Sequence, residues 1–170
     1  MPRLIGLFAV VALIAGIAGC GGDGESSDAA GSGVEITVES GSLSKATFIK
    51  RARQICVARR KKFETEFASF LQRNGGLGSS RSELSVSAQR LVNEIYLPTG
   101  EDQIDQISSL GAPAGDEAEV VTFLEAFQSG LEEAESHPVR FVRALSADYE
   151  PFAEAEELAA AYGFSECGKG

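Results

Sequence analysis

His137 is the only histidine of the chain; it stands four residues after Glu133 and directly before Pro138. That spacing lets an imidazole meet a carboxylate on one helix face. A single histidine cannot build a multi-histidine metal site, and any Ser-His-Asp arrangement would have to use this one residue at a helix boundary. Its plainest role is an exposed capping or turn residue. The adjacent pairs Glu132-Glu133 and Glu156-Glu157 fall on different parts of a helix surface, so they read as solvated charge rather than as an acid and a base flanking a bond. Gly75-Gly76-Leu77-Gly78 lacks the preceding strand and the lysine of a phosphate loop, and reads as a connection. No EF-hand spacing is present. Three cysteines, Cys20, Cys56 and Cys167, complete the reactive inventory. No catalytic residue, metal or cofactor is expected, and the chain does not read as an enzyme.

The elements that carry these residues read as helices throughout. Ser44 is the N-cap of a long first helix with Phe48, Ala52, Ile55, Cys56, Phe63, Phe67 and Phe70 on one face, ending at Asn74-Gly75-Gly76. Lys45, Lys50, Arg51, Arg53, Arg59, Arg60, Lys61 and Lys62 are expected on the opposite face. Ser80-Arg81-Ser82-Glu83 is a capping-box pattern opening a second helix, with Leu84, Ala88, Leu91, Val92, Ile95 and Tyr96 inward. Pro98 and Gly100 should kink or break that helix. Thr99 and Asp102 can restart it, and Gly111-Ala112-Pro113 stops it.

A third helix is expected over 116–135, with Val120, Phe123, Leu124, Phe127, Leu131 and Ala134 as its apolar stripe, until Ser136-His137-Pro138 ends it. A short helix with Val139, Val142 and Leu145 follows. The last carries Phe152, Ala155, Leu158, Ala159 and Tyr162, with Gly163 as a left-handed cap and Phe164 folding back. The phenylalanines recur at helical spacing and read as core, not as a cofactor box. The fold class is therefore all-α, an antiparallel bundle of about four to five helices over residues 44–170. Acidic residues predominate between Glu94 and Glu157 and can embrace the basic first helix.

The N-terminal residues say where this bundle resides. Met1-Pro2-Arg3 is a one-charge n-region, residues 4–17 are an apolar run too short to span a bilayer comfortably, and Ala18-Gly19 supplies small side chains before Cys20. Ile17-Ala18-Gly19-Cys20 resembles the lipobox of bacterial lipoproteins. The resemblance implies that residues 1–19 are a signal peptide that is removed. It implies further that Cys20 becomes the new N-terminus and carries a thioether-linked diacylglycerol with acyl chains of the palmitate kind, enough for stable anchoring at the outer face of the cell membrane. Ordinary secretion through nearby cleavage and an uncleaved signal anchor are the alternatives. Residues 20–43 read as a flexible tether, since the stretch from Gly21 to Gly33 holds no apolar residue larger than alanine. As a coil of some twenty residues such a tether spans about 25 Å. Within it, Val34-Glu35-Ile36-Thr37-Val38-Glu39 alternates like a half-buried strand and reads either as linker or as an extended segment laid on the domain.

With Cys20 taken by lipid, Cys56 and Cys167 remain, an even number in an oxidising compartment, and a disulfide between them is expected. Two buried free thiols are the alternative. A mid-helix cysteine together with Tyr162-Gly163-Phe164 before Cys167-Gly168 also resembles small helical lipoproteins without assigned activity, common in high-GC Gram-positive bacteria. That resemblance implies no chemistry. The formal charge of −10 becomes −11 once Arg3 leaves with the signal peptide, which argues against nucleic acid and against adhesion to anionic lipid. The expected partners are the membrane, through the lipid on Cys20, and an envelope protein or small ligand. The function expected is a tethered, non-catalytic binding or structural module. The alternative is an envelope hydrolase or small-ligand carrier, working through carboxylates or an apolar cavity between helices.

Overall fold

Ser44 has extended backbone and its hydroxyl accepts from the Thr47 N–H, which starts a 30-residue helix, α1, Lys45–Asn74. At about 1.5 Å per residue it is some 45 Å long. It stops at Gly75, whose φ of 67° suits glycine and whose N–H returns to Leu71. These bounds come from a computed structural model that describes residues 36–144 and 150–169. The signal peptide 1–19, Cys20 and the tether up to residue 35 lie outside the described residues, as does Leu145.

The capping box opens α2, Arg81–Leu91. The Glu83 carboxylate accepts from the backbone N–H groups of Ser80 and Ser79, each at 2.9 Å, while the Ser80 hydroxyl accepts from the Glu83 N–H at 3.2 Å. Those backbone donors, Ser80 foremost and then Ser79, hold the Glu83 pKa down at about 2 against an ordinary 4.5. A depressed carboxyl adds stability that is fully present above pH 4.5 and lost as the pH falls towards 2. Glu83→Gln is therefore expected to lower stability at neutral pH and to flatten the acid limb below pH 4.5. Urea titrations at several pH values would check it, and an unchanged acid limb would count against the box.

Pro98 and Gly100 do not break the second helix, contrary to the sequence expectation. A π-helical turn, Val92–Tyr96, joins α2 directly to α3, Leu97–Ser108. The Leu97 N–H bonds Val92 O, five residues back, so the proline ring and its missing donor fall where the α ladder is already widened. The Thr99 hydroxyl donates to Tyr96 O at 3.0 Å and supplies a local replacement bond. Gly100 is a close-approach residue: a Cβ there would lie 2.5 Å from Leu131 Cδ2. Its bare backbone lets the next helix close in.

That helix, α4, Glu117–Ser136, buries all six expected stripe residues, Val120, Phe123, Leu124, Phe127, Leu131 and Ala134. The short α5, Pro138–Ala144, buries Val142 and also Phe141, whose ring stands 4.4 Å from that of Tyr96. After buried Phe152, α6, Ala153–Tyr162, ends at left-handed Gly163 with φ 110°, and Phe164 folds back into the core beside Phe123 at 4.9 Å. Counting α2, the π turn and α3 as one continuous element, the described residues form an all-α bundle of five helices: α4 lies on α6, α1 on α3, and α2 on α5. The Cys56–Cys167 disulfide is present, and ties the chain beyond α6 to the middle of α1.

Residues 36–43 run extended across one end of the bundle. The Ala112 N–H donates to Glu39 O at 2.9 Å and the Gly41 N–H to Ala112 O at 2.6 Å, an isolated parallel bridge, while Ile36, Val38 and Leu43 pack partly buried on the core. Of the two readings of this segment, the extended one is what its described part adopts.

Candidate functional site

The residues with chemical potential are scattered by the fold rather than gathered. His137 is exposed at the end of α4, with Nδ1 3.2 Å from Glu133 Oε2, so the four-residue spacing does bring the two together. Arg140 shares the same carboxylate at 3.5 Å. Glu132 and Glu157 are exposed, and the glycine loop 75–78 carries the α1 cap. Among the described residues, no three of His, Cys, Asp and Glu converge as metal ligands would.

Several ionic groups join helices instead. Lys45 sits 3.1 Å from Asp116, which also accepts from the Tyr162 hydroxyl at 2.7 Å, and the ammonium lies 4.0 Å over the Tyr162 ring. The Tyr162 hydroxyl and then Lys45 hold the Asp116 carboxyl below its usual range, while burial and that carboxylate push the Tyr162 phenol up. Lys62 pairs with Asp102 at 3.7 Å, and Arg53 with Glu166. The acidic surroundings of α1 thus take hold of it from three sides, although exposed pairs of this kind contribute little each.

Arg59 corrects the sequence reading, which set it on the solvent face of α1. It is 7% exposed, with its guanidinium 4.9 Å over the Tyr96 ring and 5.5 Å from that of Phe127. Nη1 donates to Lys169 O at 3.4 Å, whereas Nε, Nη2 and the Tyr96 hydroxyl are buried with no hydrogen-bond partner among the described residues. Burial pushes the Tyr96 phenol up to about 12, with the Arg59 charge opposing it. A cation over aromatic faces recovers about 2 kcal/mol when desolvated, against several for burying it. The signal was in the spacing: position 59 is three residues after Cys56 and four before Phe63, squarely on the apolar stripe.

The outward face of α1 holds an apolar groove of about 590 Å³ over Ala46, Ile49, Lys50, Arg53, Val57 and Lys61. Glu166 forms its wall, held by Arg53 through its side chain and by Arg60, which donates to Glu166 O at 3.3 Å. Its own backbone N–H and Arg53 keep that carboxyl below the usual range. No carboxylate of the described residues lies within ion-pair distance of Lys50 or Lys61. Sequence reasoning saw the cations but not the groove, because its wall comes from residue 166, far along the chain.

Of the sequence-predicted site residues, Cys56 and Cys167 are joined, and Cys20 lies outside the described residues. Among the described residues no helix is long and apolar enough to cross a membrane. No protein-family model matches the chain, and neither a curated protein nor a solved structure matches it significantly.

Proposed function

We propose that the protein is a lipid-anchored, extracytoplasmic, non-catalytic binding module of the cell envelope. The observation that carries this reading is the pairing of Cys56 with Cys167, which leaves Cys20 as the one cysteine of the sequence not used by that pair. A disulfide suits an oxidising compartment, and the leftover thiol is the one that follows Ile17-Ala18-Gly19. Two acyl chains on that residue hold a small domain at a bilayer without any spanning helix. The non-catalytic part of the reading is supported by where the polar groups go: Glu83 into a cap, Asp116 and Glu166 into clasps on α1, Glu133 to His137 and Arg140. Catalysis would need such groups aimed at a substrate.

Cys20→Ser in the full-length chain tests the anchoring. The variant is expected to leave the membrane fraction or to accumulate with residues 1–19 still attached. Intact mass spectrometry of the native membrane protein is expected to find lipid on Cys20; an unmodified Cys20 there overturns the reading.

A further inference from the structure

We infer that the outward face of α1 is a docking surface for an acidic amphipathic helix of another protein. The inference rests on the binding-module reading and names the class of its partner.

Ala46, Lys50, Arg53, Val57 and Lys61 recur at steps of three and four, so they share one side of α1, away from the buried side that carries Phe48, Ala52 and Cys56. Val57 is one of two large apolar side chains that the described residues expose, at 38%. With Ala46 and half-buried Ile49 it forms an apolar strip, and the small alanine lets another helix approach closely. The face extends over about 22 Å, roughly four turns at 1.5 Å per residue, which suits a helix laid lengthwise.

Charge selects the occupant. Lys50 and Lys61 flank the strip without a carboxylate partner among the described residues, in a chain whose formal charge is −10. An acidic flank on the incoming helix is therefore attracted here and repelled by much of the remaining surface, which fixes where it docks. A second copy meeting this face with its own α1 fits poorly, because that would set Lys50, Arg53 and Lys61 against cations. A bilayer fits poorly as well, being flat where the Glu166 wall makes this face concave, and anionic lipid would repel the acidic bulk of the protein.

The test uses the full-length chain in its native host, with photoreactive benzoylphenylalanine at Val57 or, in a second variant, at Gln54, and a comparison variant carrying it at Val86, which is 62% exposed elsewhere on the bundle. Crosslinked peptides are then sequenced by mass spectrometry. The expected product joins Val57 and Gln54 to one segment of another protein with net negative charge and apolar residues at helical spacing. Combining Lys50→Glu with Lys61→Glu is expected to lower its yield at least tenfold while the Cys56–Cys167 bond stays closed on non-reducing gels. Crosslinks to lipid, to a second copy or to a segment lacking negative charge overturn the inference, as does a yield that the double reversal leaves unchanged. Capture at Val86 alone overturns the α1 face and leaves the binding-module reading standing. Capture at none of the three sites overturns both.

Discussion

Replacing Cys56 and Cys167 together by serine is expected to lower the stability of the bundle by about 4 kcal/mol. The bond closes a loop across 111 positions of sequence, and in the chain-entropy model a loop of that size is worth about 4 to 5 kcal/mol as an upper figure. Local consequences add to this. Buried Gln103 donates from Nε2 to Cys167 O at 3.3 Å, and Arg59 reaches Lys169 O, so a released terminus strands two polar side chains inside the protein. Denaturant unfolding of the oxidised protein, the reduced protein and the double variant would measure it. If all three unfold within about 1 kcal/mol of one another, the seating of Phe164 rather than the covalent bond holds the terminus.

Gly168→Ala is expected to cost about 3 kcal/mol, the upper end for overpacking a filled site. A Cβ at this position would lie 2.3 Å from Glu156 Cα and 2.7 Å from Ala155 O. Both are backbone atoms of α6, so no side chain can swing aside to make room. Lys169→Ala, one residue on at an exposed position, serves as the control and should stay near the parent in the same unfolding series. A Gly168→Ala chain as stable as that control would show that the segment after Cys167 shifts freely.

Local signals read well from the sequence. Ser44, the Ser80 and Glu83 box, and Gly163 with Phe164 are each decided by residues within one turn of each other, and each stands where its residue type placed it. The α4 stripe was legible for a related reason, since twenty residues give a 3.6-residue period room to repeat. Phe141 was not, because a seven-residue helix offers no period to follow. Arg59 was assigned by its charge rather than by its position, and the aromatic faces that receive it lie on other helices. Gly130 carries a third lesson. A Cβ there would meet the Phe152 ring at 2.4 Å, so the residue marks a helix contact that its own neighbours in sequence do not announce. The α1 groove needed the fold itself, because Glu166 reaches it only through the neighbouring disulfide.

The π turn has a meaning for how the long second helix could have been assembled and how it can be edited. Its buried positions march in steps of four, Leu91, Ile95, Thr99, Gln103 and Ile107 beside Val92, Tyr96, Gly100 and Ile104. On an unbroken α-helix each such step drifts by about 40°, and four of them would carry the stripe nearly to the far side. One extra residue in Val92–Tyr96 takes back much of that rotation. The turn therefore acts as a phase corrector for the twelve residues of α3 that follow it. Point substitutions there disturb single contacts. Deleting one residue within Val92–Tyr96 lets the turn close to plain α with α3 still in phase, whereas deleting one just after it swings the downstream face by about 100° and carries Gln103 and Ile107 out of the core together.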